Sequence, residues 1–218
     1  MSASLLPQHR ILDAEQAERR FAVSTDVGYP YREFAREQEM RLYDTGLTVD
    51  GDLVLEPPPG IDWNPCNMIV VGDLTVDGDL SISSSGGGCF LLVTGDLRAR
   101  NVFVAGEPNV VVRGDLTTSN SIFGHDDYGI LVVCGSTTAR IVINTSGFNM
   151  VFAEKPQAFV LGHPNRQNVA SDIDDELELE DVPATGLLDH GGTNFAAIRA
   201  ALMAGGSILR PGISSDAS

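Results

Sequence analysis

A Gly-Asp-Leu tripeptide occurs five times in this 218-residue chain, at Gly51-Asp52-Leu53, Gly72-Asp73-Leu74, Gly78-Asp79-Leu80, Gly95-Asp96-Leu97 and Gly114-Asp115-Leu116, with a degenerate copy at Gly135-Ser136-Thr137. With Gly78 left aside, the repeat glycines are spaced by 21, 23, 19 and 21 residues. Units of about 20 residues cannot bury an apolar face alone and must stack on their neighbours. A period of that size suits one turn of a β-solenoid.

From Leu47 to about Leu161 the chain consists of short β-branched runs separated by Gly, Asp, Asn and Pro. Alignment on the repeat glycine brings out two apolar columns: Met68, Leu91, Val110 and Leu131 four positions before it, and Val70, Val93, Val112 and Val133 two before it. Side chains alternate across a strand, so both columns point the same way, and Leu74, Leu97 and Leu116 complete the lining of an interior. A second strand follows in each turn, carrying Val102 and Val104, then Ile122, then Ile141 and Ile143, and chain reversals are expected at 83–88, 106–109 and 124–129. The column three before the glycine, Ile69, Leu92, Val111 and Val132, faces outward and is apolar throughout. A bare surface does not carry such a row. N-terminal helices, a C-terminal helix or another chain must cover it, and cover from within the chain is expected, because a solenoid has faces and ends to protect.

Residues 10–23 and 32–43 are rich in helix formers and lack internal Gly and Pro, so two short helices are expected, separated at Gly28-Tyr29-Pro30, with Tyr31, Phe34, Ala35 and Leu42 on one face of the second. After Gly162 the pattern gives way to a run from Asp172 to Asp181 in which seven of ten residues are acidic. A last helix is expected to start with Thr193 or Asn194 as its N-cap, to present Phe195, Ile198 and Leu202, to stop at Gly205-Gly206, and to dock on the solenoid. The chain thus divides into an N-terminal helical segment (1–45), a β-solenoid (46–163), an acidic linker or arm (164–192) and a C-terminal helix with its tail (193–218).

Thirty acidic residues against fourteen basic ones give a formal net charge of −16. Such a surface repels nucleic acid and anionic membranes, so neither is an expected direct partner, and a basic protein is the electrostatically sensible one. Three cysteines, Cys66, Cys89 and Cys134, have neither the number nor the spacing of a disulfide framework or a zinc site, and reduced, mostly buried thiols are expected. No apolar run has the length of a signal peptide core or the ~20 residues of a membrane span. The expected location is cytoplasmic.

The stretch GDLRARNVFVAGEPNVVVRGDL, Gly95 to Leu116, resembles the repeat of bactofilins, bacterial polymer-forming cytoskeletal proteins, over roughly half of the chain. The resemblance implies a right-handed β-helix core, no cofactor, no catalysis, and end-to-end assembly through exposed terminal rungs. This chain departs from that pattern in its uneven rung lengths, in the interrupting loop EPPPGIDWNPCN and in the helical segments at both ends. Helices that cap the terminal rungs would block assembly, since the end strands would no longer offer unpaired N–H and C=O groups.

Asp52, Asp73, Asp96 and Asp115 are expected to stack at about 4.8 Å. At that distance neighbouring carboxylates repel by roughly 1 kcal/mol even in water. Each is expected to accept backbone N–H bonds in its own turn. Calcium is disfavoured, because the Gly-Gly-x-Gly-x-Asp pattern of calcium-binding β-rolls is missing. His125-Asp126-Asp127 falls in a turn, with Arg140 expected nearby on the next rung, a weak likeness to polysaccharide lyases built on parallel β-helices. His9, His125, His163 and His190 are scattered and form no Ser/His/Asp or Cys/His arrangement, and no phosphate loop, cofactor motif or metal motif is legible.

The expected fold is mainly β, a single-stranded, right-handed parallel β-helix (β-solenoid) of about five to six rungs with short helical segments at both ends. The expected role is non-enzymatic protein binding, without cofactor or metal. The partner best fitted by the charge is a basic enzyme such as a nuclease toxin, neutralised in the manner of an immunity protein. Candidate partner-binding residues are Asp126 and Asp127 in the turn and Asp172, Asp174, Asp175, Glu176, Glu178, Glu180 and Asp181 in the acidic run. Ile173, Leu177, Leu179 and Val182, interleaved with the latter, suit a basic groove with apolar walls. The competing expectation is a bactofilin-like scaffold that forms homo-oligomers.

Overall fold

The computed structural model describes residues 8–28, 39–55, 67–84, 89–125, 128–145, 148–162, 187–189 and 192–209. The chain begins with β1 (Arg10–Leu12), helices α1 (Ala14–Phe21) and α2 (Val23–Val27), and strands β2 (Met40–Tyr43), β3 (Leu47–Val49) and β4 (Leu53–Leu55). It continues with β5 (Asn67–Val70), β6 (Leu74–Val76), β7 (Asp79–Ser84), β8 (Phe90–Val93), β9 (Leu97–Gly106) and β10 (Asn109–Val112). Strands β11 (Leu116–His125), β12 (Ile130–Val133), β13 (Thr137–Asn144), β14 (Asn149–Phe152) and β15 (Gln157–Gly162) complete the stack. A short antiparallel pair, β16 (Leu188–Asp189) and β17 (Gly192–Thr193), leads into α3 (Phe195–Met203).

Alternate strands fall into two parallel sheets, as a solenoid requires. The first runs β1-β2-β5-β8-β10-β12-β14, and only β1 is antiparallel to its neighbour. The second runs β3-β6-β9-β11-β13-β15, with β4 paired to β7 and β7 to β9. Asn67, Phe90, Asn109, Ile130 and Asn149 occupy equivalent positions, which makes about four regular turns.

The repeat occupies two corners of the solenoid, which corrects the alignment on Gly51. The Gly78 N–H donates to the Gly51 carbonyl (2.9 Å) and Leu53 pairs with Leu80, while Leu47 is the partner of Leu74. Gly51-Asp52-Leu53 therefore stacks against Gly78-Asp79-Leu80, and the step from Gly51 to Gly72 is not a turn.

The interior holds the two columns before the repeat glycine, all 1% exposed or less, together with Leu74, Leu97, Leu116, Val102, Val104 and Ile122. Ile141 and Ile143 lie on the second strand of their turn but face outward, and Val142 between them fills the interior. Phe148, Met150 and Phe152 close the carboxy-terminal end of this core.

Cover for the outward row comes from the N-terminal helices. Ala14, Ala17, Phe21, Val23 and Val27 bury Ile69, Leu92, Val111 and Val132 in one cluster. Helix α1 starts with a capping box, in which Asp13 accepts the Gln16 N–H and the Gln16 side chain accepts the Asp13 N–H. Ala22, in a left-handed conformation (φ 50°), turns the chain into α2. Arg113 fastens the pair to the first sheet by donating to the Asp26 carboxylate (2.6 Å) and the Phe21 carbonyl.

The expected helix over 32–43 is corrected at its end, and so is the start of the helix expected over 10–23. Met40–Tyr43 is strand β2, in register with Asn67–Val70, and Arg10–Leu12 is the strand that pairs with it. Met40 and Leu42 join the cluster under the helices while Tyr43 turns inward. Burial on both sides of a sheet overrides the helix-forming composition of this segment. Tyr31, Phe34 and Ala35 lie outside the described residues.

A second outward apolar column, Phe103, Phe123, Ile143 and Leu161, runs up the second sheet. Ile198 and Leu202 of α3, with Ile208 and Leu209 beyond it, pack on this column, so the C-terminal helix docks as expected. Asn194 is its N-cap, accepting the Ala197 N–H (2.9 Å).

Candidate functional site

Each turn of the second sheet bends, so its strands have two limbs with different surroundings. Strand β9 alternates between buried and exposed residues from Leu97 to Arg100 and is buried on both sides from Asn101 to Ala105. The second limb lies under α3. The first limb keeps an open outer side, where Thr48, Thr75, Arg98, Thr117 and Thr138 form one column. Two residues further along stand the exposed Asp50, Asp77, Arg100, Ser119 and Arg140. β-Branched threonine suits such a half-buried strand, offering a methyl to the sheet and a hydroxyl to solvent. Among the described residues, the solenoid thus has two outer faces covered by its own helices and one polar face left open.

The aspartates border this face as a ladder that joins the rungs. Asp73 Oδ1 accepts the Asp96 N–H (2.9 Å), Asp96 Oδ1 the Asp115 N–H (3.0 Å), and Asp115 Oδ1 the Ser136 N–H (2.8 Å). At the other corner Asp52 Oδ1 accepts the Asp79 N–H (2.8 Å). Each carboxylate bonds to the following turn, not to its own as expected, and the donated N–H dipoles offset the repulsion between stacked charges. The preceding glycine makes room for this. A Cβ on Gly114 would lie 2.5 Å from Asp96 Oδ1 and 2.6 Å from the Gly95 carbonyl carbon. Close approach of the preceding rung, and no positive φ, demands glycine there.

The N–H and hydroxyl of Ser136 hold the Asp115 carboxyl below the usual carboxylate range, assisted by Arg98. Folding therefore favours the ionised form. The stabilisation is complete above the ordinary value of about 3.9 and is lost as pH falls through the lower folded value. Asp115→Asn keeps an acceptor and removes the charge. The difference in melting temperature between wild type and this variant should narrow as pH is lowered from about 5 to about 2, and a difference that ignores pH would show that the charge contributes nothing.

A buried polar network climbs the second corner. Asp79, 2% exposed, accepts two bonds from Arg100 (2.7 Å each) and one from Asn101 Nδ2 (2.7 Å). Asn101 Oδ1 in turn accepts from Asn120 Nδ2 (2.8 Å) and Ser121 Oγ (2.6 Å). Between Thr118 and Ser121 the register shifts, β11 holding one residue more than β9 and β13 there. Asn120 sits in that bulge and also donates to the Leu202 carbonyl (3.4 Å), so the irregularity helps to seat α3.

The expected contact residues Asp126, Asp127, Asp172, Asp174, Asp175, Glu176, Glu178, Glu180 and Asp181 lie outside the described residues. His125 and Arg140 are not brought together. The His125 ring meets Thr145 Oγ1 (2.7 Å) and stacks on Phe195 (centroids 4.9 Å apart), level with the far end of β13. Arg140 lies before the bend of that strand, beside a shallow recess between Asn120, Leu202 and Ile208. Of the cysteines, Cys89 is buried, whereas Cys134 is exposed at the end of β12, where the chain leaves the core; Cys66 lies outside the described residues. Among the described residues no three His, Cys, Asp or Glu are grouped so as to hold a metal ion, and no helix is long and apolar enough to cross a membrane.

Comparison with known protein families, curated proteins and solved structures found no match. The chain is a parallel β-solenoid with helices at both ends, a fold consistent with the resemblance to bactofilins. That resemblance rests on the fold and its repeat.

Proposed function

We propose that this chain is a non-catalytic binding module that neutralises a basic partner protein, as an immunity or inhibitor protein neutralises a nuclease toxin. The observation that carries this reading is the division of the outer surface, with two faces spent on the chain's own helices and a polar face left open. On and beside that face Asp50, Asp52, Asp73 and Asp77 form no ion pair among the described residues. In a chain of net charge −16 they add to a field that draws a cationic surface and repels polyanions.

Co-purification from the native cell followed by titration calorimetry tests the reading. One basic protein should bind with 1:1 stoichiometry, and its affinity should fall at least about tenfold when ionic strength rises from about 0.05 to 0.5 M. Charge reversal at Asp174, Asp175, Glu176 and Glu178 should weaken it further if the acidic run is part of the contact. Capture of an acidic partner, or an affinity indifferent to salt, would refute the proposal. End-to-end assembly in the manner of bactofilins is the lesser reading, because β1 occupies the amino-terminal edge of the first sheet and denies those backbone groups to a second copy.

A further inference from the structure

At the amino-terminal end of the solenoid the two sheets finish differently. The first is closed by β1 in antiparallel register with β2. The second finishes in β3 and β4, and among the described residues no strand pairs with the outer side of either. Val54, in the middle of β4, is 54% exposed. It stands at the head of the column that continues through Ser81, Phe103 and Phe123, all of them buried. Asp50 and Asp52 precede it on the same edge. Asp77 stands one turn on, its N–H bonded to the Val49 carbonyl (3.0 Å). An apolar side chain, an open strand edge and three exposed carboxylates without an ion-pair partner among the described residues thus share one end of the molecule.

We propose that the outer edge of β4 is a docking site for an extended, lysine- or arginine-bearing segment of the basic partner, which adds to the second sheet as a further strand. The inference rests on the basic partner proposed above and specifies how it is held. Backbone hydrogen bonds to the open edge supply affinity, and alternation does the rest: one set of side chains packs on Val54 while flanking cations reach Asp50, Asp52 and Asp77. A second copy of this chain fits the edge less well, because it would bring the same carboxylates against one another in a molecule that already carries a charge of −16.

The probe is a synthetic octapeptide of alternating lysine and valine, with octalysine as the control for charge alone. Fluorescence anisotropy at low salt should show tighter binding of the alternating peptide, and hydrogen exchange should slow at Val54 and Leu55. Val54→Lys, a change at an exposed position that leaves the circular dichroism unaltered, should weaken binding by about tenfold or more, through lost apolar contact and like-charge repulsion. The paired change Asp50→Asn with Asp77→Asn should weaken it several-fold. Equal binding of both peptides, or equal binding to the Val54→Lys variant, would overturn the edge site and leave the basic-partner reading standing. Binding of neither peptide would overturn both. A dimer seen by light scattering and abolished by Val54→Lys would assign the edge to a second copy and overturn the proposal.

Discussion

Replacing Gly114 by alanine is expected to destabilise the protein by about 3–5 kcal/mol, the sum of an overpacking cost and a weakened charge-assisted hydrogen bond. The new methyl would lie 2.5 Å from Asp96 Oδ1 and 2.6 Å from the Gly95 carbonyl carbon, both of which belong to the preceding rung. To admit it, either the rungs separate at the corner or the carboxylate swings away and abandons the Asp115 N–H. Urea unfolding reads the loss directly. Combining the change with Asp96→Ala removes one of the two obstacles, so the double variant should lose at least about 1 kcal/mol less than the two single losses added together. A cost below about 1 kcal/mol for Gly114→Ala would mean that the corner yields easily and that glycine is dispensable there.

Truncating Phe123 to alanine should cost about 3–5 kcal/mol, in the range for a fully buried aromatic. Its ring is 0% exposed and lies 4.9 Å, centroid to centroid, from Phe195, the first residue of α3. The loss therefore falls on the helix contact as well as on the sheet. Hydrogen exchange in α3 should accelerate more than exchange in β8 or β10, which belong to the other sheet. Uniform acceleration through the chain would show that α3 is not seated chiefly by this column.

The interior was legible because its signal is local: four turns of nearly equal length place apolar residues two and four positions before each glycine. The outward row before the glycine was legible for the same reason, and its apolar character correctly called for cover. Past the corner the signal failed for a mechanical reason. Strand β11 carries an extra residue at the bend, so its inward Ile122 lies one position further from the repeat than Val102 or Val142 do, and the outward column of Phe103, Phe123 and Ile143 slips out of alignment. Gly51 misled because two corners share one tripeptide. Met40–Tyr43 misled because its strand character comes from pairing with residues distant in sequence. The open face is marked by polar residues such as Thr48, Thr75 and Thr117 that alternate with buried neighbours, whereas which of the other sides the helices occupy leaves no mark in local sequence. The hydrogen bond from each aspartate to the following rung is likewise invisible without the stack.

The two helical appendages alter how the molecule comes apart. In a bare solenoid each rung touches only its neighbours, so stability is close to a sum of adjacent terms and an end can fray while the middle persists. Here α1 and α2 grip residues from β2 to β12, and α3 with the residues beyond it grips β9 through β15. Each is a splint laid across several rungs, and the spans overlap from β9 to β12. Loss of any one rung in that overlap loosens both splints at once, so the linear array should melt as a single cooperative unit.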